Sequence, residues 1–247
     1  LDLSYCTNII DVSSLGGVHT LTLSDCNITD VSSLGGAHTL TLICTNVTDV
    51  STLGGVHTLT LSDCIITDVS SLGGVHTLNL SCTNVADVSA LGNVHTLDLR
   101  GCINVTDVSS LGNVHTLDLS CTNVADVSTL GGVHTLTLSF CDNVRDVSAL
   151  GGVHTLNLRA CNITDVSALG GVHTLDLRGC ENVEDVSSLG NVHTLTLYGC
   201  NITDVSALGG VHTLDLRGCE NVEDVSSLGN VHTLTLRGCK NVASITL

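Results

Sequence analysis

The 247-residue chain has no proline, methionine or tryptophan, and its only aromatics are two Tyr and one Phe. An ordinary globular core draws on those side chains, so the 43% of hydrophobic residues must be buried in another way. Basic residues are scarce too: seven Lys and Arg face 24 Asp and Glu, giving a formal charge of −17, and residues 1–99 contain no Lys or Arg. Neutralising phosphates takes clustered Lys and Arg, so no nucleic-acid partner is expected. No apolar run is long enough to span a bilayer. The chain also lacks an initial Met and starts in mid-phrase, which predicts an excerpt of a longer protein without capping repeats. Phosphate-binding Gly-rich loops, G-x-S-x-G and H-E-x-x-H are all missing, so the chain is expected to be no enzyme and to need no cofactor.

What the sequence does contain is repetition, which decides the fold before any local propensity. Twelve histidines, from His19 and His38 to His212 and His232, recur at spacings of 19 or 20 residues. Around them runs V-H-T-L-x-L-x-x-C-x-N-V-x-D-V-S-x-L-G-[GN]. Residues 20–24, T-L-T-L-S, alternate polar and apolar with the period of a strand that has one buried face. A lone strand of that length buries little, so successive strands must stack in parallel, with Leu21, Leu23, Val31 and Leu34 and their equivalents facing a common core. Gly16 and the Gly or Asn after it are expected to form a corner with positive φ. Asp11, Asp30 and Asp49 and their counterparts precede V-S-x-L, where Asp is expected to cap one turn of 3₁₀ or α-helix.

The phrase V-x-x-L-x-L-x-x-C-x-I over residues 18–28 resembles the leucine-rich-repeat signature, and the match covers essentially the whole chain. The convex segment N-I-T-D-V-S-S-L over 27–34 is also similar to repeats of internalin-type bacterial surface proteins, with Cys where those have Asn. This resemblance implies a repeat solenoid: a right-handed coil with a concave parallel β-sheet and short 3₁₀, helical or irregular convex segments. Residues 1–247 are then one array of about 12 or 13 repeats.

In a solenoid each repeated residue becomes a ladder, so chemistry must be sought in columns. The His column offers one ligand type along a line, whereas a metal site converges different ligands on a point, so local hydrogen bonding is expected instead. Capping accounts for the Asp column without a bound cation. Thirteen cysteines is an odd number, and the chain is too long for a small disulfide scaffold, which favours buried, reduced thiols in an intracellular, cytoplasmic protein. The surface of a cell or virus particle is the alternative location. In the three L-x-C-T-N repeats, Thr45, Thr83 and Thr122 fall in the interior slot; either the loop bulges or a hydroxyl replaces the thiol.

Function should lie where repeats differ. Among outward strand positions, one column carries Arg100, Arg159, Arg178, Tyr198, Arg217 and Arg237, residue types enriched at binding hot spots. The alternative for these residues is plain neutralisation of the sheet by pairs such as Asp176–Arg178 and Asp215–Arg217. The leading expectation is a non-enzymatic scaffold that docks a protein partner on the sheet. Two alternatives remain open. One is a structural surface or filament spacer with end-to-end assembly. The other is ice or crystal binding through paired Thr ladders.

Overall fold

The structure, a computed structural model, describes residues 1–242. It comprises two compact units, Leu1–Asn123 and Val124–Leu247. In the first unit six strands run in chain order: β1 (Thr20–Thr22), β2 (Thr39–Thr41), β3 (Thr58–Thr60), β4 (Thr77–Asn79), β5 (Thr96–Asp98) and β6 (Thr116–Asp118). In the second they are β7 (Thr135–Thr137), β8 (Thr155–Asn157), β9 (Thr174–Asp176), β10 (Thr194–Thr196), β11 (Thr213–Asp215) and β12 (Thr233–Thr235). Within each unit every strand pairs in parallel with the next, in a register that places Thr opposite Thr and Leu opposite Leu. Among the described residues the named strands form only at T-L-x, where the alternation begins, and they stop short of the second Leu.

Register is set by burial, because a slip of one residue would turn the leucines to solvent. Leu21, Leu23, Ile28 and Leu34 are all 0% exposed, and Val31 is 1%. Full burial of each such side chain is worth about 1.5–3 kcal/mol, and each rung obtains it only by being covered by the next. Short 3₁₀ turns such as Ser13–Leu15, Leu34–Gly36 and Ser148–Gly152 lie on the far side of each coil.

Two local expectations are corrected. The glycine after the buried Leu is not left-handed: Gly16 has φ −58° and Gly92 has φ −62°. Glycine is needed there for close approach, since a Cβ on Gly54 would lie 2.2 Å from the carbonyl oxygen of Ser71 in the next repeat. Nor does the Asp cap the 3₁₀ turn. The residue before each turn is Val, Ser or Thr with no side-chain cap, as at Val12 and Ser33. Asp acts one step earlier, where its Oδ1 accepts the backbone N–H two residues on, at 2.9 Å for Asp11 and Ser13 and for Asp30 and Ser32. This is the turn in which a short carboxylate mimics a backbone carbonyl.

The positive φ falls instead on the residue before the interior slot. It is taken by Tyr5, Asp25, Cys44, Asp63, Gly101, Phe140, Ala160, Gly179, Gly199 and Gly218, among others, with φ between 52° and 73°. That residue turns the chain off the strand, and its N–H still bonds the next rung, as from Asp25 to the carbonyl of Ile43 at 2.9 Å.

Candidate functional site

The His column is a stack of rings. In the first unit the imidazoles of His19, His38, His57, His76, His95 and His115 lie 4.6–4.7 Å apart, within 8–11° of parallel. Each Nδ1 sits 3.2–3.3 Å from the hydroxyl of the following Thr. Local bonding therefore explains the column, and among the described residues no group of three or more His, Cys, Asp or Glu is arranged to hold a metal ion. Burial, and then repulsion from the rings on either side, lowers the pKa of His95 and of His173.

Stacked carboxylates repel, yet Asp30 is held below the ordinary carboxylate value. The backbone N–H of Ser32, then its hydroxyl, outweigh slight burial and repulsion from Asp11 and Asp49. Open grooves between successive turns, such as one of 470 Å³ lined by Asp87, Ser89 and Asp107, recur from repeat to repeat. A feature present at many rungs distinguishes none of them.

Apart from the half-buried Cys6 and Cys239, the cysteines divide into two sets. Eight are buried, and in most of these Sγ–H donates to the carbonyl of the strand-end Leu one rung back, as from Cys161 to Leu138 at 3.0 Å and from Cys219 to Leu197 at 3.0 Å. Burial pushes Cys161 and Cys200 up to about 12. Cys44, Cys82 and Cys121 are exposed, and Thr45, Thr83 and Thr122 take their interior places, each 3% exposed. No loop bulges: Thr83 and Thr122 satisfy the slot by donating to Leu80 and Leu119 at 2.7 and 2.6 Å.

Of the six candidate recognition residues, Arg100 belongs to the first unit, while Arg159, Arg178, Tyr198, Arg217 and Arg237 occupy five consecutive rungs of the second. Arg178 and Arg217 pair with the carboxylates two residues before them, which end β9 and β11, at 2.5 Å to Asp176 and 2.6 Å to Asp215. Burial raises the Asp215 carboxyl, but the Arg217 hydrogen bonds more than offset it, leaving its pKa lowered. Arg100 pairs less closely with Asp98, at 3.2 Å, and there burial prevails and the carboxyl is raised. Neutralisation thus accounts for part of the column, but Arg159 and Arg237 make no ion pair among the described residues.

Aromatic contacts that sequence reasoning missed hold two of these cations. The Arg159 guanidinium lies 5.2 Å from the centre of the Phe140 ring, and that of Arg217 lies 5.4 Å from the Tyr198 ring. Phe140 stands in the left-handed column rather than on the strand. The only signal for that column was the Gly and Asp that recur before Cys, types tolerant of positive φ.

No family model and no curated protein matches the chain. Solved structures do match. An internalin, inlF, from Listeria monocytogenes aligns over 95% of this chain and 80% of its own, with 22% identity and a TM-score of 0.75. The functional domain of InlJ from the same organism, described as including a cysteine ladder, aligns over 94% of this chain and 66% of its own, with 21% identity and a TM-score of 0.54. TLR13, solved in complex with ssRNA13, aligns over 89% of this chain and 36% of its own, with 18% identity and a TM-score of 0.57. At these identities the likeness is one of fold.

Proposed function

We propose that this chain, a leucine-rich-repeat protein in fold, is a non-enzymatic interaction scaffold whose second unit docks a protein partner on the outward face of its sheet. One observation carries this reading. Thr and His repeat without change, while the position two residues past the end of β8 to β12, Ser in most earlier repeats, is taken by Arg159, Arg178, Tyr198, Arg217 and Arg237 on adjacent rungs. Arg and Tyr, presented on a rigid sheet with 48% of Tyr198 exposed, are the groups from which hot spots are built.

The first unit supports a spacer role instead. There Ser62 and Ser81 are 7% and 6% exposed, and their hydroxyls are used up on each other and on Asn79, at 3.1 Å in each case. Buried thiols bonded to backbone, rather than disulfides, support an intracellular location.

The variant Arg178→Ala/Tyr198→Ala/Arg217→Ala, compared with a His57→Ala/His76→Ala control, tests the reading by crosslinking capture from lysate. The triple variant should lose its partner, with Kd weakened about 30-fold or more, while the control keeps it. A partner retained equally by both variants would remove the reading.

A further inference from the structure

The charge on this face is not that of the chain. Outward positions of β8 to β12 and the residue after each strand's last Leu carry four guanidinium groups and only two carboxylates, Asp176 and Asp215, in a chain of formal charge −17. Both carboxylates are already taken by Arg178 and Arg217. The uncompensated charge therefore sits at Arg159 and Arg237, the two ends of the five-rung column. Inside them stand the paired Arg178 and Arg217, and Tyr198 occupies the centre. Counted by ion pairs alone, the column runs unpaired cation, neutral pair, aromatic, neutral pair, unpaired cation, with Arg159 resting over the Phe140 ring and Arg217 over the Tyr198 ring.

Four rung steps at about 4.8 Å put the free cations about 19 Å apart. An extended chain rises about 3.3 Å per residue, so two of its carboxylates match that distance when about six residues separate them. The middle of such a segment would lie over Tyr198, which is 48% exposed and offers it a hydroxyl and the part of the ring that the Arg217 guanidinium leaves uncovered. A compact anion such as free phosphate can reach one of these cations but not both. A basic segment would meet two unopposed guanidinium groups.

We infer that this face takes an extended acidic segment of a partner protein, laid across β8 to β12 with carboxylates about six residues apart at Arg159 and Arg237. The inference rests on the interaction reading above and adds the chemistry of the partner. Charge does the selecting: Arg159 and Arg237 attract and align the acidic segment, and Tyr198 with its flanking pairs receives the residues between.

Panning a random dodecapeptide display library tests it, using the full chain as bait after depletion on the Arg159→Gln/Arg178→Ala/Tyr198→Ala/Arg217→Ala/Arg237→Gln variant. The expected pool is rich in Asp and Glu, with pairs five to seven residues apart. Synthetic members should bind at least 10-fold more weakly to Arg159→Gln/Arg237→Gln, or when both carboxylates become amides, and should weaken as salt is raised. Circular dichroism confirms that each variant keeps its fold. A face-dependent pool that is neutral or basic overturns the acidic partner and leaves the face as an interaction site. If every enriched peptide binds the depletion variant equally well, both readings fail.

Discussion

The two units repeat the same core pattern and differ at one rim. In the first, the left-handed position before the interior slot carries Tyr5, Asp25, Cys44, Asp63, Cys82, Gly101 and Cys121; in the second it carries Phe140 and Ala160 and then only Gly179, Gly199, Gly218 and Gly238. Residues with a Cβ pay about 1–2 kcal/mol to hold that conformation, so the first unit accepts strain that glycine spares the second. The same boundary divides charge: six of the seven basic residues lie in 124–247. Closely similar cores thus support two kinds of surface, one with exposed thiols and one with guanidinium groups beside glycine. Repeat identity therefore reports on packing, and departures from it report on use.

The sharpest test of the comparison is thiol reactivity. Cys44, Cys82 and Cys121, all in the first unit, should react rapidly with a maleimide in the native state, and mass mapping should locate every fast site there. Cys161 and Cys200, raised from 9.0 to about 12, have about a thousandfold less thiolate and are buried besides. Rapid native labelling of either would show that the second unit opens.

Shared packing predicts equal costs in the core. Leu59 and Leu175 are 0% and 1% exposed at matching positions, so Leu59→Ala and Leu175→Ala should each lose about 2–5 kcal/mol in urea unfolding. A difference above about 1.5 kcal/mol between them would break the equivalence of the two cores.

The rim should respond with opposite signs. Gly199 has φ 73° and open space around its Cβ position, so Gly199→Ala isolates backbone strain and should cost about 1 kcal/mol. Cys44→Gly, at φ 52°, should stabilise by about 0.5 kcal/mol, because relieved strain exceeds the entropy cost of glycine. Equal signs in denaturant midpoints would refute the strain account.

The smallest expected effect is on pH dependence, and it should be common to both units. His95 and His173 have lowered pKa values in the folded state, so that state binds fewer protons than the unfolded chain. Their contribution is complete above the unfolded value near 6.5 and is lost as pH falls through the folded values. The Asp column, also lowered from 3.8, adds a second loss that begins below that value and completes as pH falls through its folded values. Urea midpoints should decline from pH 7.5 to 5.5 and more steeply below 4. A rise between 7.5 and 5.5 would mean that the acidic field of the chain outweighs repulsion between neighbouring rings.

Much of this molecule was legible in its sequence because a repeat converts one local rule into a fold. The alternation of T-L-x-L, the spacing of 19 or 20 and the recurring Leu and Val settled the strands, their parallel order and the core, since no other stacking buries those leucines. The exchange of Thr45, Thr83 and Thr122 for Cys in the interior slot was also readable, by counting back from Asn. The backbone at the corners was not. Glycine serves both positive φ and close approach, and only the nearness of the next rung showed that Gly54 is there for lack of room. Likewise Asp suits both a helix cap and a turn bond, and the turn was selected by where the chain bends. The Asp176–Arg178 and Asp215–Arg217 pairs, two residues apart on one rung, were on offer in the sequence, but the ring beneath Arg159 and the one beneath Arg217 depend on which side chains neighbouring rungs bring within reach. Such contacts arise between repeats 19 or 20 residues apart, and only the coiled chain brings those residues together.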